Sequence, residues 1–158
     1  MKRTIAPTTL VIVFATLFVL GIVPTAQAQA GEHRHCSNAS LQGSFGFTNT
    51  GTNIALPPPL AGPIAQIGRQ TFDGRGNTDA TATLSANGNI VRVTVQGTYV
   101  VNPDCTGSMT LYVFESGGSF NADFVIDDDG AELRAIITDA EAIESVVFKK
   151  QFPRGPKE

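Results

Sequence analysis

The sequence predicts an all-β domain, an eight-stranded antiparallel up-and-down barrel, and three observations predict it. Apolar and polar residues alternate with a period of two over most of residues 41–152. The alternating runs are separated by clusters of Gly, Asn and Asp, residue types that tolerate the positive φ of hairpin turns. Helix signals are almost absent. A two-sheet β-sandwich satisfies the same observations and stands as the alternative; closure into a barrel leaves no edge strand and fits the length.

The elements follow in order. Leu41, Gly43, Phe45 and Phe47 share one parity, with Gln42, Ser44 and Thr48 on the other, which makes the first strand. Residues 49–63 read as the one long loop, stiffened by Pro57-Pro58-Pro59 and by Gly62-Pro63. Residues 64–72 read as a second strand with apolar side chains on both faces. In the third, Ala80, Ala82, Leu84 and Ala86 alternate with Thr81, Thr83 and Ser85. The fourth is the cleanest: Val91, Val93, Val95, Gly97, Tyr99 and Val101 alternate with Arg92, Thr94, Gln96 and Thr98. Residues 109–114, 119–126, 131–138 and 143–152 complete the set. Residues 142–148 are also compatible with a short helix, because Ala140-Glu141-Ala142 favours helix whereas Val146-Val147-Phe148 favours strand. Tight turns are expected at 73–77, 87–89, 116–118 and 127–130. A longer one is expected at 102–107, where Pro103 stops strand pairing.

The first thirty residues have a different character. Met1-Lys2-Arg3 is a basic start, residues 10–23 form an uncharged apolar run of 14, and small residues follow from Thr25 to Ala30. That is the layout of a cleavable secretory signal, and the run is short for a bilayer span. Cleavage is expected after Ala28 or Ala30. The division is therefore a signal peptide at 1–30, an N-terminal segment at 31–40, a barrel domain at 41–152 and a tail at 153–158, with a secreted or periplasmic location. Without Lys2 and Arg3, nine basic and 14 acidic residues remain, a net charge of −5. A mildly acidic surface argues against nucleic acid, which needs a basic stripe. With no tryptophan and two tyrosines, aromatic girdles of a transmembrane barrel are not expected, and no membrane span is expected in the mature form.

Cys36 and Cys105 are the only cysteines. In an oxidising compartment two thiols read as one disulfide. An up-and-down order offers a check: Cys36 precedes the first strand, and the turn after the fourth strand, which carries Cys105, returns to the same end of the barrel.

Three stretches carry a family likeness: CSNASLQGSFGF at 36–47, GRQTFDGRGN at 68–77 and GTYVVNPDCTG at 97–107. In these the chain resembles a group of small exported bacterial β-rich proteins without assigned activity. The resemblance extends over nearly all of the mature domain and implies no mechanism. More loosely, the strand count resembles the calycin-like barrels of lipocalins and allene-oxide cyclases, although the lipocalin Gly-x-Trp signature has no counterpart here.

Candidate chemistry is sparse. His33 and His35 are the only histidines, and a hydrolytic triad would need one of them held rigidly. If the mature chain starts at Gly31, its amine, two amide nitrogens and the His33 imidazole offer a square-planar field for Cu(II) or Ni(II). The competing reading is a solvated tail, and no cofactor is expected. Asp127-Asp128-Asp129-Gly130 lacks the ligand spacing of a calcium loop and reads as turn chemistry. Asp73, Glu115 and Asp139 are candidate carboxylates for a glycosidase, but nothing in the sequence brings two of them together.

The interior is the most informative surface. Phe45, Phe47, Phe72, Val93, Val95, Tyr99, Phe120, Phe124 and Leu133 are expected to line it. Small inward residues (Gly43, Gly97, Ala80, Ala82, Ala122, Ala135) make a cavity conceivable, and bulky neighbours filling those gaps are the competing expectation. The functional expectation is an exported, non-enzymatic barrel that binds an apolar small molecule or a partner surface. The alternatives are a cyclase or isomerase acting on an apolar substrate, and a structural, envelope-associated module.

Overall fold

The computed structural model describes residues 35–152; the leader, Gly31, His33 and residues 153–158 lie outside the described residues. Eight strands form a closed antiparallel barrel in sequence order: β1 (Gly43–Asn53), β2 (Gly62–Phe72), β3 (Asn77–Ala86), β4 (Asn89–Val101), β5 (Thr106–Val113), β6 (Gly118–Asp127), β7 (Glu132–Ile137) and β8 (Ala142–Lys150). Closure is made by β1 against β8, with Phe47 opposite Phe148 and Asn53 opposite Ala142. The up-and-down order is that read from the sequence, and the sandwich is not formed.

The parity of the alternation decides which side chains are inside. Along β4 the odd residues turn inward, and Val95, Tyr99 and Val101 are buried between exposed neighbours. The outward positions of β3 and β4 carry Asp79, Thr81, Thr83, Arg92, Thr94, Gln96 and Thr98, together with the exposed Ile90 and Val100. No helix among the described residues is long and apolar enough to cross a membrane.

The turns obey local backbone chemistry. Asn87 and Gly88 sit at φ 48° and 83°, so the two-residue β3–β4 hairpin twists with its strands. In the β2–β3 turn the Asp73 carboxylate accepts from the main-chain N–H of Arg75 (2.7 Å) and Asn77 (2.9 Å) and from the Asn77 amide (2.7 Å). The triple aspartate is indeed a turn: Asp127 ends β6, and Asp128 and Asp129 take left-handed backbone angles (φ 49° and 53°) before Gly130.

Three expectations need correction, the first that Leu41 opens the first strand: β1 starts at Gly43, and Leu41 ends the 3₁₀ turn before it. The long loop does not begin at residue 49: β1 continues to Asn53 and the connection is only 54–61. The polar residues that suggested a loop, Asn49 and Asn53, keep the inward parity of Phe45 and Phe47. Their amides find hydrogen-bond partners inside, so they need not leave the strand. Residues 142–150 form β8 rather than a helix, because Glu144, Val146 and Phe148 turn inward while Ile143, Ser145 and Val147 turn out. That two-residue period outweighs the helix propensity of Ala140-Glu141-Ala142.

Candidate functional site

The two ends of the barrel are built differently. At the end where β1 starts, a 3₁₀ turn (Asn38–Leu41) lies across the opening and buries Leu41 completely. The Cys36–Cys105 disulfide fastens this plug to the β4–β5 turn, with the Cα atoms 5.0 Å apart. The Cys36 N–H also donates to the Pro103 carbonyl (3.2 Å), and the Val101 N–H donates to the Asn38 side-chain oxygen (2.8 Å). Tyr99 completes the seal: its hydroxyl accepts from the Gly74 N–H (2.9 Å) and donates to the Asn38 carbonyl (3.1 Å). Burial pushes the Tyr99 phenol above its ordinary ionisation range, against the lowering effect of the Gly74 N–H.

Just inside the plug the barrel is filled by aromatic rings. Phe72 is the hub, edge-on to Phe45 (5.4 Å between centroids) and Tyr99 (5.1 Å), and 6.3 Å from Phe148. Phe47 and Phe148 meet at 5.3 Å. The small inward residues do not leave an open chamber, because large neighbours lie over them. A Cβ on Gly68 would sit 2.7 Å from the Phe47 ring, and one on Gly97 would sit 2.7 Å from the Leu111 side chain. One on Gly107 would run into the Phe124 ring. Glycine on one strand is the seat for a bulky side chain on the next.

Among the described residues the other end has no disulfide-linked turn; the 54–61 connection reaches the β3–β4 hairpin there, where the Asn87 amide donates to the Pro59 carbonyl (3.1 Å), and Ile64 and Ala86 are buried. There the inward positions Leu84, Val91, Val93, Val113, Phe120 and Ala142 are only partly buried, which gives an apolar mouth. Between this mouth and the aromatic layer lies a polar floor made by Asn49, Gln66, Gln70 and Glu144, of which Asn49, Gln70 and Glu144 are buried. Its geometry comes from register. Gly51 stands opposite Glu144 across the β1–β8 seam, and a side chain at Gly51 would collide with the backbone of Ile143 and Glu144. The carboxylate is bracketed by the inward residues on either side of that glycine. It accepts from the Asn49 amide (2.8 Å) on one side and from the Asn53 amide (2.7 Å) on the other. The Asn53 side-chain oxygen (Oδ1) then receives the N–H groups of Ala55 (3.0 Å) and Leu56 (3.2 Å), so the same side chain starts the β1–β2 loop.

Asn49 also donates to the Gln66 carbonyl oxygen (3.3 Å). Both hydrogens of its amide are thereby used, and its own oxygen is buried with no hydrogen-bond partner. Asn49 lines a cavity of about 40 Å³ together with Phe47, Gln66, Gln70, Phe120 and Phe148. A water molecule takes up roughly 30 Å³ in the liquid, whereas sites that enclose a whole small molecule run from about 300 Å³ upward. The cavity therefore admits a head group and not a body.

The nine residues expected to line the interior all turn inward, but at different depths. Phe47, Val95 and Phe120 line the cavity. Val93 lies at the mouth, Phe45, Phe72 and Tyr99 form the aromatic layer, and Phe124 and Leu133 are packed core residues. Sequence reasoning missed Asn49, Gln66, Gln70 and Glu144, although the parity of Phe47 and Phe72 extended along β1 and β2 points to the first three.

The dispersed carboxylates do not converge. Asp73 is in the turn beside the plug, and its hydrogen bonds with Asn77 and Arg75 lower its pKa to about 2. Glu115 accepts the Thr94 N–H (2.9 Å) at the mouth end, which holds its pKa below the usual carboxylate range. Asp139 is engaged with the Asn121 amide (3.0 Å). Among the described residues no group of three or more His, Cys, Asp or Glu is placed to hold a metal ion, and His35 is exposed. The copper reading concerns Gly31 to His33 and lies outside the described residues.

No family model matches the chain, and no curated protein matches it. Among solved structures it is similar to a redesigned β-barrel, with 15% sequence identity, coverage of 72% of this chain and 94% of that chain, and a TM-score of 0.50. A likeness at that identity speaks to the fold alone.

Proposed function

We propose that the protein is an exported, non-catalytic binding module that receives a small molecule at the mouth opposite its disulfide. The observation that carries this reading is the asymmetry of the barrel. One end is plugged, cross-linked and filled with rings. The other presents partly exposed apolar side chains above a buried polar floor with an unsatisfied acceptor. Apolar walls with a few placed polar groups are the usual make-up of a small-molecule site. The apolar leader and the Cys36–Cys105 bond support export to an oxidising compartment. A second reading, a structural module without a ligand, is favoured by the small enclosed volume.

A fluorescence titration with N-phenyl-1-naphthylamine, which brightens in apolar surroundings, separates the two. Saturable enhancement is expected, abolished by Val93→Arg in the mouth and unaffected by Thr98→Arg on the outer wall. No saturable enhancement by the wild-type protein would establish the structural reading instead.

A further inference from the structure

Resting on that binding reading, we infer that the ligand of the mouth is an apolar chain ending in a primary ammonium, with its head in the cavity beside Asn49. The direction of the Asn49 amide is not free. A carboxylate accepts hydrogen bonds and donates none when ionised, so Glu144 must face the NH₂ side. The second hydrogen goes to Gln66, and the carbonyl oxygen is left over in a residue only 5% exposed. A buried acceptor without a partner costs free energy that a donor would recover. The floor therefore asks for a donor.

Glu144 specifies the kind of donor. It is 7% exposed, and no ion pair among the described residues involves it; those present join Arg134 to Asp127 and Lys149 to Glu132 on the outside. Two amide dipoles satisfy its oxygens but supply no net positive charge. A buried charge is ordinarily paired. Asn49, whose amide holds the carboxylate, lines the cavity, so a cation there lies one side chain away from the charge it would balance.

Size and polarity fit the same ligand. The cavity of about 40 Å³ accommodates an ammonium but not the chain attached to it. Gln66 and Phe120, which line it, are themselves partly exposed, as are the inward residues Val91, Val93 and Val113 nearer the mouth. A methylene chain leaving the cavity would run along those side chains.

Calorimetric titration of the disulfide-intact protein with 1-octylamine, 1-octanol and sodium octanoate, at one ionic strength near neutral pH, tests this. Octylamine is expected to bind about tenfold more tightly than octanol, with octanoate the weakest of the three. Glu144→Gln keeps the volume and removes the charge, and should bring amine and alcohol to within about twofold of each other. Equal or tighter binding of octanol by the wild-type protein would overturn the inference, and so would an amine preference that survives in a folded Glu144→Gln. If that variant does not fold, the wild-type order of the three head groups decides alone. Naphthylamine binding without the amine preference sinks only the ammonium head. Loss of binding by the probe and all three ligands sinks the binding reading itself.

Discussion

The Tyr99 hydroxyl donates to the Asn38 carbonyl at 3.1 Å, and through that bond the fourth strand holds the turn that closes the barrel. Tyr99 is 2% exposed, and its ring is stacked edge-on against Phe72. Tyr99→Phe keeps the ring and removes the hydroxyl, leaving the Gly74 N–H and the Asn38 carbonyl without their partner. The expected loss is about 1–3 kcal/mol in denaturant unfolding. The folded-state pKa lies above the unfolded one, so this residue's stabilisation is complete below the ordinary phenol range and declines as pH rises through it. An alkaline titration of stability should therefore fall less steeply in Tyr99→Phe than in the wild-type protein.

The disulfide joins residues 69 apart in sequence and closes all of the first four strands into one loop. In the loop-entropy account such a bridge contributes about 4 kcal/mol, chiefly by restricting the unfolded chain. The double variant Cys36→Ser/Cys105→Ser should lose stability of that order in urea while keeping a β-type circular dichroism spectrum. An unchanged midpoint would mean that the plug is held by its hydrogen bonds alone.

Gly107 offers a test of how tightly the wall is packed. A methyl group there meets both the Phe124 ring and the Val100 carbonyl. Gly107→Ala should cost about 1–3 kcal/mol or more, since a carbonyl on the neighbouring strand cannot rotate away. Adding Phe124→Leu should recover only part of that loss, because it relieves the ring contact and leaves the backbone one. Full recovery would show that the ring is the whole obstacle.

Asp73 contributes on the acid side, alongside Asp104 and Glu115, whose hydrogen bonds also lower their pKa values. Its folded-state pKa of about 2 lies below the model-compound value of 3.8, so its contribution is fully present above about pH 4. It is lost as pH falls toward 2, where folded and unfolded forms are both protonated. Asp73→Asn should flatten the fall in thermal midpoint between those two pH values. Equal slopes for variant and parent would show that other carboxylates govern acid unfolding.

Much of the barrel was legible because alternation is a direct record of which side faces the core. Val91 to Val101 and Ala80 to Ala86 announce their strands without ambiguity, and the Asn-Gly and Asp-Gly pairs mark the hairpins between them. The polar floor was not legible for the opposite reason. Asn49 and Asn53 look like loop residues until their partners are known, and those partners come from Glu144, some 90 positions away. Composition also could not decide whether the small residues leave space. Gly68, Gly97 and Gly107 lie against the carbonyls of Thr81, Thr110 and Val100 as well as under Phe47, Leu111 and Phe124, and that depends on register between strands. The plug was anticipated only through its cysteines; Leu41 was read as the first residue of a strand, and it is instead the stopper.

The most direct test of the account is a ¹⁵N-resolved NMR titration of the full-length mature protein with 1-octylamine, following the side-chain amides of Asn49, Gln66 and Gln70. Saturable shifts are expected in Asn49 and Gln66, with backbone shifts at Val93, Val113 and Phe120 and none at Asn38 or Leu41 behind the aromatic layer. Shifts confined to the outer wall, or still amides throughout the titration, would contradict it.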